Sequence, residues 1–324
     1  MKPLAIVLAL AAAGYPAAAD SGIRGPVTGF VFDARLHAIR PINGLPGAAT
    51  LGAALPLPFA VRQAAVSARL DYALAVSDAD GQVYLVRGLS SDTPAASAVQ
   101  GTLADAGRVL VNAPGTAALV YSQASGSLQT ISGLPDDPRA APPVDVSAAG
   151  EIGALALSPD AARAALANAG EGAVYELSAG ALNRLAATHG VSALAYSNGG
   201  RDLLFASQAT NEIALIRGLD GNGDLSVLAG EGDGVGNPVG IQSVNGGREI
   251  WIANAASSTL LVLDMTAPGV SYNIPLSAAP TRCEPLDGNS LILLNDAGAT
   301  PLLLADWARG RAVYFVPADQ AVGQ

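Results

Sequence analysis

The sequence predicts an all-β fold, a seven-bladed β-propeller with four antiparallel strands per blade. A unit of roughly forty residues recurs along the chain, a period typical of propellers when each unit holds several strands. Within each unit, short apolar strands alternate with turns rich in Gly, Asp and Asn, which supply the positive-φ positions of tight hairpins. The clearest units, Val191–Gly218 and Pro238–Asp264, align residue for residue through two hairpins.

The units can be placed in order by the starts of their first strands. In the first unit the alignment puts the first strand after Pro26 and the second strand at residues 36–42, and its prolines predict short outer strands. The first and third units are degenerate, so six or eight blades remain open alternatives to seven. The starts lie near Pro26, Val61, Ala106, Ile152, Val191, Pro238 and Ala279.

The first nineteen residues have the layout of a secretory signal. Lys2 precedes an apolar run, and small residues lead to a cleavage position after Ala19. The apolar run is too short to span a bilayer. We therefore expect a signal peptide at residues 1–19, one propeller domain at residues 20–324, export to the periplasm or the medium, and no membrane insertion after cleavage.

Composition narrows the class of partner. Lys2 is the only lysine, and its removal with the leader leaves 16 arginines against 27 acidic residues, a net charge near −11. Nucleic acids and anionic membrane surfaces select basic faces, so we expect neither as a partner. Cys283 is the only cysteine, which excludes an intrachain disulfide, and its place in an inner strand predicts a buried, inert thiol.

Two segments resemble a known repeat family. The run from Trp251 to Asn254, followed by the strand that ends at Asp264, is similar to the YVTN-type propeller repeat of secreted and surface-layer proteins. The run from Gly153 to Asp160 resembles the first strand and turn that this family shares with WD40-like repeats. The resemblance implies a propeller fold, but such propellers include binding scaffolds, lactonases, lyases and oxidases, so it implies no single activity.

Because successive strands of a blade run in opposite directions, each polar turn residue can be assigned to one of the two sides of the propeller. One side of the propeller holds the connection into each first strand and the turn between the second and third strands, and we call it the first rim. The turns between the first and second strands and between the third and fourth strands lie on the other side, the second rim. His37 is predicted on the second rim, away from His189, so we expect no two-histidine metal site. The alternative to a ligand site on the first rim is that its polar residues only form tight turns, which need Asn, Asp and Gly, or are solvated. The candidate ligand-binding residues are predicted near the axis on the first rim: Arg24, Asp105, Glu151, His189 and Asn237.

One loop has the spacing of calcium ligands. Asp220, Asn222 and Asp224 alternate with glycines, and Glu231 falls at the twelfth position of the EF-hand pattern. Leu225 occupies the sixth position, where the pattern requires Gly, and begins a predicted strand that would carry Glu231 away from Asp220. We therefore expect an ordinary turn without a metal ion.

The remaining sequence contains no nucleophile elbow, metal-binding motif or phosphate-binding Gly-rich loop. We therefore expect no cofactor and a non-enzymatic binding or scaffold module whose partner is a protein or a small ligand. The alternative is a lactonase-like hydrolase or lyase with a polar central pocket formed by Arg24, Asp105, Glu151 and His189, in which His189 would act as general base.

Overall fold

The fold is an all-β propeller of seven antiparallel blades, which confirms the predicted fold class. The computed structural model describes residues 25–318 except positions 268, 289 and 299, so the predicted leader lies outside this part of the chain. Within it, the helical segments are 3₁₀ turns, and none is long and apolar enough to cross a membrane. These turns are Ser147–Ala149, Asn198–Gly200, Glu231–Asp233 and Asn245–Gly247.

In the first four blades, the strands follow one another in sequence order from the axis outwards, and blade 3 divides its outer position between two short strands. Blade 1 contains β1 (Val27–Asp33), β2 (Ala38–Asn43) and β3 (Thr50–Leu51). Blade 2 contains β4 (Val61–Val66), β5 (Tyr72–Ser77), β6 (Val83–Arg87) and β7 (Ala95–Ala98). Blade 3 contains β8 (Arg108–Val111), β9 (Ala117–Ser122), β10 (Ser127–Ser132), β11 (Arg139–Ala140) and β12 (Val144–Asp145). Blade 4 contains β13 (Ile152–Leu157), β14 (Arg163–Asn168), β15 (Glu171–Ser178) and β16 (Ala181–His189).

The last three blades are regular four-stranded sheets. Blade 5 contains β17 (Val191–Ser197), β18 (Asp202–Ser207), β19 (Glu212–Arg217) and β20 (Asp224–Ala229). Blade 6 contains β21 (Pro238–Val244), β22 (Glu249–Asn254), β23 (Thr259–Asp264) and β24 (Val270–Pro275). Blade 7 contains β25 (Glu284–Pro285), β26 (Leu291–Leu293), β27 (Leu302–Asp306) and β28 (Ala312–Val316).

The core is divided among the clefts between blades. Each consecutive pair of blades, including blades 7 and 1, encloses one cluster of buried apolar side chains. Many are alanines, as in the cluster between blades 4 and 5, because closely packed sheets leave little space for large side chains. Cys283 is buried among them, which confirms its predicted environment, and burial raises the pKa of its thiol.

Blade 1 differs from its prediction in chain direction. The backbone N–H of Val61, where the first strand of blade 2 begins, donates to the carbonyl of His37 at 2.7 Å. His37 therefore lies on the first rim, and the prediction that placed it on the second rim is wrong. Strand β1 therefore runs towards the first rim, which is the direction that the second strands have in the other blades. At the opposite rim, Gly288 N–H donates to the carbonyl of Ala68 at 2.6 Å, so blades 7 and 2 meet on the axial side of blade 1.

The turn after β1 is closed in the same way as other turns of the chain. The Asp33 carboxylate, at the end of β1, accepts hydrogen bonds from the backbone N–H groups of Arg35 and Leu36. Ser122 and Ser207, which end the second strands of blades 3 and 5, accept equivalent bonds three residues on. Asp306, which ends the third strand of blade 7, accepts the same pair of bonds from Ala308 and Arg309, so this turn closure does not distinguish a second strand from a third.

Candidate functional site

A group of charged side chains from three blades meets on the first rim. His37 Nδ1 lies 3.6 Å from Asp78 Oδ2. Arg62 Nη1 donates to Asp105 Oδ1 at 2.8 Å, and its Nη2 donates to the carbonyl of Asp78 at 3.0 Å. We call His37, Arg62, Asp78 and Asp105 the first-rim cluster. All four side chains are at least one-third exposed, so a ligand can reach them.

Local backbone geometry places this cluster. A β-bulge at the start of β4 inserts Arg62 between Val61 and Gln63, which turns its side chain towards blade 3. Asp105 has a φ of 55° and lies against Gly81. A Cβ atom at Gly81 would come within 2.5 Å of the Asp105 Cα, so only glycine fits there.

Arginine recurs at this bulge in two more blades. In blades 3 and 7 an arginine is the second of the two consecutive bulge residues that face one carbonyl of the second strand, namely Arg108 and Arg282. In blade 2, Arg62 is the first residue of this pair. Blade 1 packs between blades 7 and 2, but on its axial side a hydrogen bond joins Gly288 of blade 7 to Ala68 of blade 2. In blades 4, 5 and 6 neither bulge residue is an arginine, and the first of the two is Gly153, Ser192 and Val239 in turn. Among the described bulges, arginine therefore lies only in blades 7, 2 and 3, and we call Arg62, Arg108 and Arg282 the arginine arc.

The three arginines differ in their partners. Arg62 and Arg282 pair with carboxylates, and Arg282 contacts both Glu284 and Asp296. Hydrogen bonding to Asp105 raises the pKa of Arg62. Arg108 instead donates to two backbone carbonyls of blade 4, at Gly153 (2.8 Å) and Ile152 (3.3 Å). Its positive charge is therefore uncompensated by any carboxylate contact among the described residues, and it can accept an anionic group of a ligand.

The structure places the predicted site residues as follows. Asp105 joins the first-rim cluster. Glu151, His189 and Asn237 lie exposed on the first rim at the starts of β13, β17 and β21, but the described contacts do not join these side chains to one another. Arg24 lies outside the described residues. The arginine arc was not predicted, because a bulge is a backbone feature with no fixed sequence signature.

The two histidines share the first rim, so the prediction that placed them on opposite rims is wrong. They belong to blades 1 and 5, and the His189 carbonyl accepts a hydrogen bond from Ser207 Oγ at 2.7 Å. Across the described part of the chain, no group of three or more His, Cys, Asp or Glu side chains could hold a metal ion.

The loop with calcium-like spacing lies on the second rim, in the turn before β20. The Asp220 carboxylate is bound by the guanidinium of Arg163, which comes from blade 4. A calcium ion would have to displace this cation to use Asp220 as a ligand.

We expect that a chelator leaves the melting temperature of the protein unchanged. A bound ion that is removed would lower it by mass action. Differential scanning calorimetry with EDTA, compared with added calcium, measures the effect. A clear shift that disappears in Asp224→Ala would show that the loop does bind calcium.

Comparison with known proteins gives similarity in structure only. The sequence matches no family model and no curated protein. A Lactobacillus plantarum protein has a TM-score of 0.62 at 17% identity, with 90% of this chain and 96% of that chain covered. A Bacteroides uniformis protein proposed to be a 6-phosphogluconolactonase has a TM-score of 0.61 at 12% identity, with the same coverage. Streptogramin B lyase has a TM-score of 0.59 at 15% identity, covering 82% and 86%.

These identities are too low to carry an activity from any of the three proteins to this chain. The resemblance to YVTN-type repeats therefore stays a prediction. What the similarities establish is that the chain has the fold of a β-propeller.

Proposed function

We propose that this protein is an exported, non-enzymatic binding module that holds a small anionic ligand, or an acidic group of a partner protein, on its first rim. The arginine arc is the observation that supports this proposal. Three arginines lie at the first-strand bulges of blades 7, 2 and 3, and Arg108 has no carboxylate partner among the described residues. Guanidinium groups bind carboxylates through paired, charge-assisted hydrogen bonds.

The arc is also preorganised. Arg62 bridges blades 2 and 3, and Arg108 bridges blades 3 and 4, so each guanidinium is fixed by hydrogen bonds before a ligand arrives. A fixed side chain loses little conformational entropy on binding. The neighbouring Asp78 and Asp105 carboxylates would repel a bare anion, so the geometry favours a ligand that carries hydroxyl or amide donors beside its anionic group.

The alternative is a hydrolase or lyase, and one observation favours it. The Asp78 carboxylate lies beside both the His37 imidazole and the Arg62 guanidinium. A histidine oriented by a carboxylate is a common general base, and an adjacent arginine could stabilise negative charge on a substrate. The structural similarity to a lyase and to a protein proposed to be a lactonase is compatible with this alternative.

Binding is tested by calorimetric titration of the mature protein with succinate, citrate and gluconate. We expect saturable binding of at least one, and a loss of about 1.5–3 kcal/mol of binding free energy in Arg108→Ala, because a charge-assisted hydrogen bond is removed. Arg184→Ala, an exposed change on the outer strand of blade 4, is the matched control. Equal losses in both variants, or no binding by the wild type, would contradict the proposal.

An activity assay on the same mature protein tests the alternative, a hydrolase or lyase. We expect no turnover of a lactone and ester panel above the uncatalysed rate. Hydrolysis that is present in the wild type and absent in His37→Ala would replace the binding function with the enzymatic one.

A further inference from the structure

Three neighbouring clefts on the second rim can be compared at one equivalent position, the first residue of the second strand. This residue is Arg163 in blade 4, Asp202 in blade 5 and Glu249 in blade 6. In two of the clefts it forms an ion pair across to the next blade. Arg163 binds Asp220 of blade 5, and Glu249 binds Arg311 of blade 7 at 2.6 Å.

In the cleft between blades 5 and 6, the described residues form no such ion pair. The Asp202 carboxylate accepts hydrogen bonds from its own blade, from Gly218 N–H at 2.9 Å and Asn198 Nδ2 at 3.2 Å. Met265, which follows the third strand of blade 6, lies across the cleft instead of a cation. A pocket of about 200 Å³ occupies the space.

The pocket presents charges of both signs. Arg217 lines it and lies beside Asp202, because the neighbouring residues Leu203 and Ile216 are register partners. Among the described residues, no contact engages the Arg217 guanidinium, although the carboxylate of Asp224 stands on the adjacent outer strand. Each Asp202 oxygen has accepted one hydrogen bond and has a free lone pair for a further donor.

The rest of the lining consists of Ser197, three apolar side chains and backbone. Leu204 and Leu215 are buried and form part of the wall, together with Met265, while Gly246 and Gly247 bring the backbone of blade 6 to the opening. The volume corresponds to the share of about six water molecules in the liquid. It can hold a molecule with a charged end and a short apolar chain.

We propose that this pocket binds a small zwitterion, an α-amino acid with an aliphatic side chain. The ligand carboxylate pairs with Arg217, which uses two guanidinium donors. The ligand ammonium donates to Asp202 and takes the place that a cation holds in the neighbouring cleft between blades 6 and 7. The side chain packs against Leu204, Leu215 and Met265. This site is separate from the arginine arc, which lies on the other rim.

The test is calorimetric titration of the mature protein with L-leucine, L-valine and L-alanine. We expect saturable binding of at least one, at least tenfold weaker for its N-acetyl derivative, which has no ammonium, and for its amide, which has no carboxylate. Arg217→Ala and Asp202→Asn should each weaken binding at least tenfold. Arg201→Ala on the same rim and Arg108→Ala on the first rim should leave it unchanged.

A pocket-filling variant keeps the test decisive if Asp202→Asn unfolds. Met265→Trp should abolish binding while the melting temperature stays within a few degrees of the wild type. The proposal is overturned if none of the three amino acids binds at 10 mM, roughly the millimolar range of the weakest specific complexes. It is equally overturned if the derivatives bind as tightly as the free amino acid, or if Arg217→Ala has no effect.

Discussion

Replacing Arg163 with alanine should lower the free energy of unfolding by about 3–5 kcal/mol at pH 7, the cost of leaving a buried charge without its partner. Arg163 Nη1 lies 3.6 Å from Glu176 Oε1, and the Glu176 side chain is only 7% exposed. The Tyr196 hydroxyl donates to the same oxygen at 3.4 Å. Without Arg163, the Glu176 carboxylate would keep this single hydrogen bond in a dry cleft.

The loss should depend on pH. Burial raises the pKa of Glu176 above its ordinary value of 4.5, and Arg163 opposes this rise. Removing Arg163 raises the pKa further, so the folded variant binds more protons than the unfolded chain at mildly acidic pH. The stability of the variant should therefore fall as the pH rises from 4.5 towards 7. Urea unfolding at these two pH values measures the difference.

Two further variants separate the ion pair from other effects. Arg201→Ala, an exposed change on the same rim, should alter stability by less than about 0.5 kcal/mol. Adding Glu176→Gln to Arg163→Ala should recover part of the lost stability, because the buried charge is removed. An Arg163→Ala deficit of equal size at both pH values would show that charge burial is not its cause.

Trp251→Ala should lower the free energy of unfolding by about 3–5 kcal/mol, the range for removing a large aromatic side chain from a core. Trp251 is fully buried between blades 6 and 7 and is the largest of the fully buried side chains described. Its indole Nε1 also donates to Glu249 Oε2 at 2.9 Å. The cavity and the lost hydrogen bond act together at the ion pair of Glu249 and Arg311.

Trp251→Phe separates the two contributions. Phenylalanine retains most of the apolar volume but cannot donate, so about 1–2 kcal/mol should be lost. Guanidinium unfolding of both variants, with the slope of the transition compared with the wild type, measures the effects. Equal losses for the two variants would mean that the hydrogen bond, and not packing, dominates at this position.

Much of the fold could be predicted because its hairpins join segments that are adjacent in the sequence. Strand periodicity and turn residues at Val191–Gly218 and Pro238–Asp264 report hairpins between neighbouring segments. The prediction for blade 1 was wrong because the alignment counted β1 as a first strand, and the turn at Asp33 is of a kind that follows other strands as well. The first-rim cluster could not be predicted, since Arg62 and Asp105 are 43 residues apart and meet only when two blades pack.

The pocket between blades 5 and 6 could not be predicted from the sequence either. In the sequence, Asp202 and Arg217 are charged residues at the ends of strands, and no pattern around them indicates a ligand site. Comparison with Arg163 and Glu249 in the folded blades shows that, among the described residues, no cation from the next blade pairs with Asp202. This difference between clefts depends on how neighbouring blades pack and is not encoded in the sequence of a single repeat.

The hydrogen bond from Gly288 to Ala68 has a consequence for how the chain folds. Blades 3 to 6 can each pack on the blade synthesised just before, as in an open array of repeats. The closing contact joins residues near opposite ends of the chain and bears a large loop-closure entropy. Until blade 7 is complete, the apolar faces of blade 1 and blade 6 stay exposed to solvent. We therefore expect chains interrupted before residue 288 to aggregate during refolding, while complete chains close into a ring with no free face.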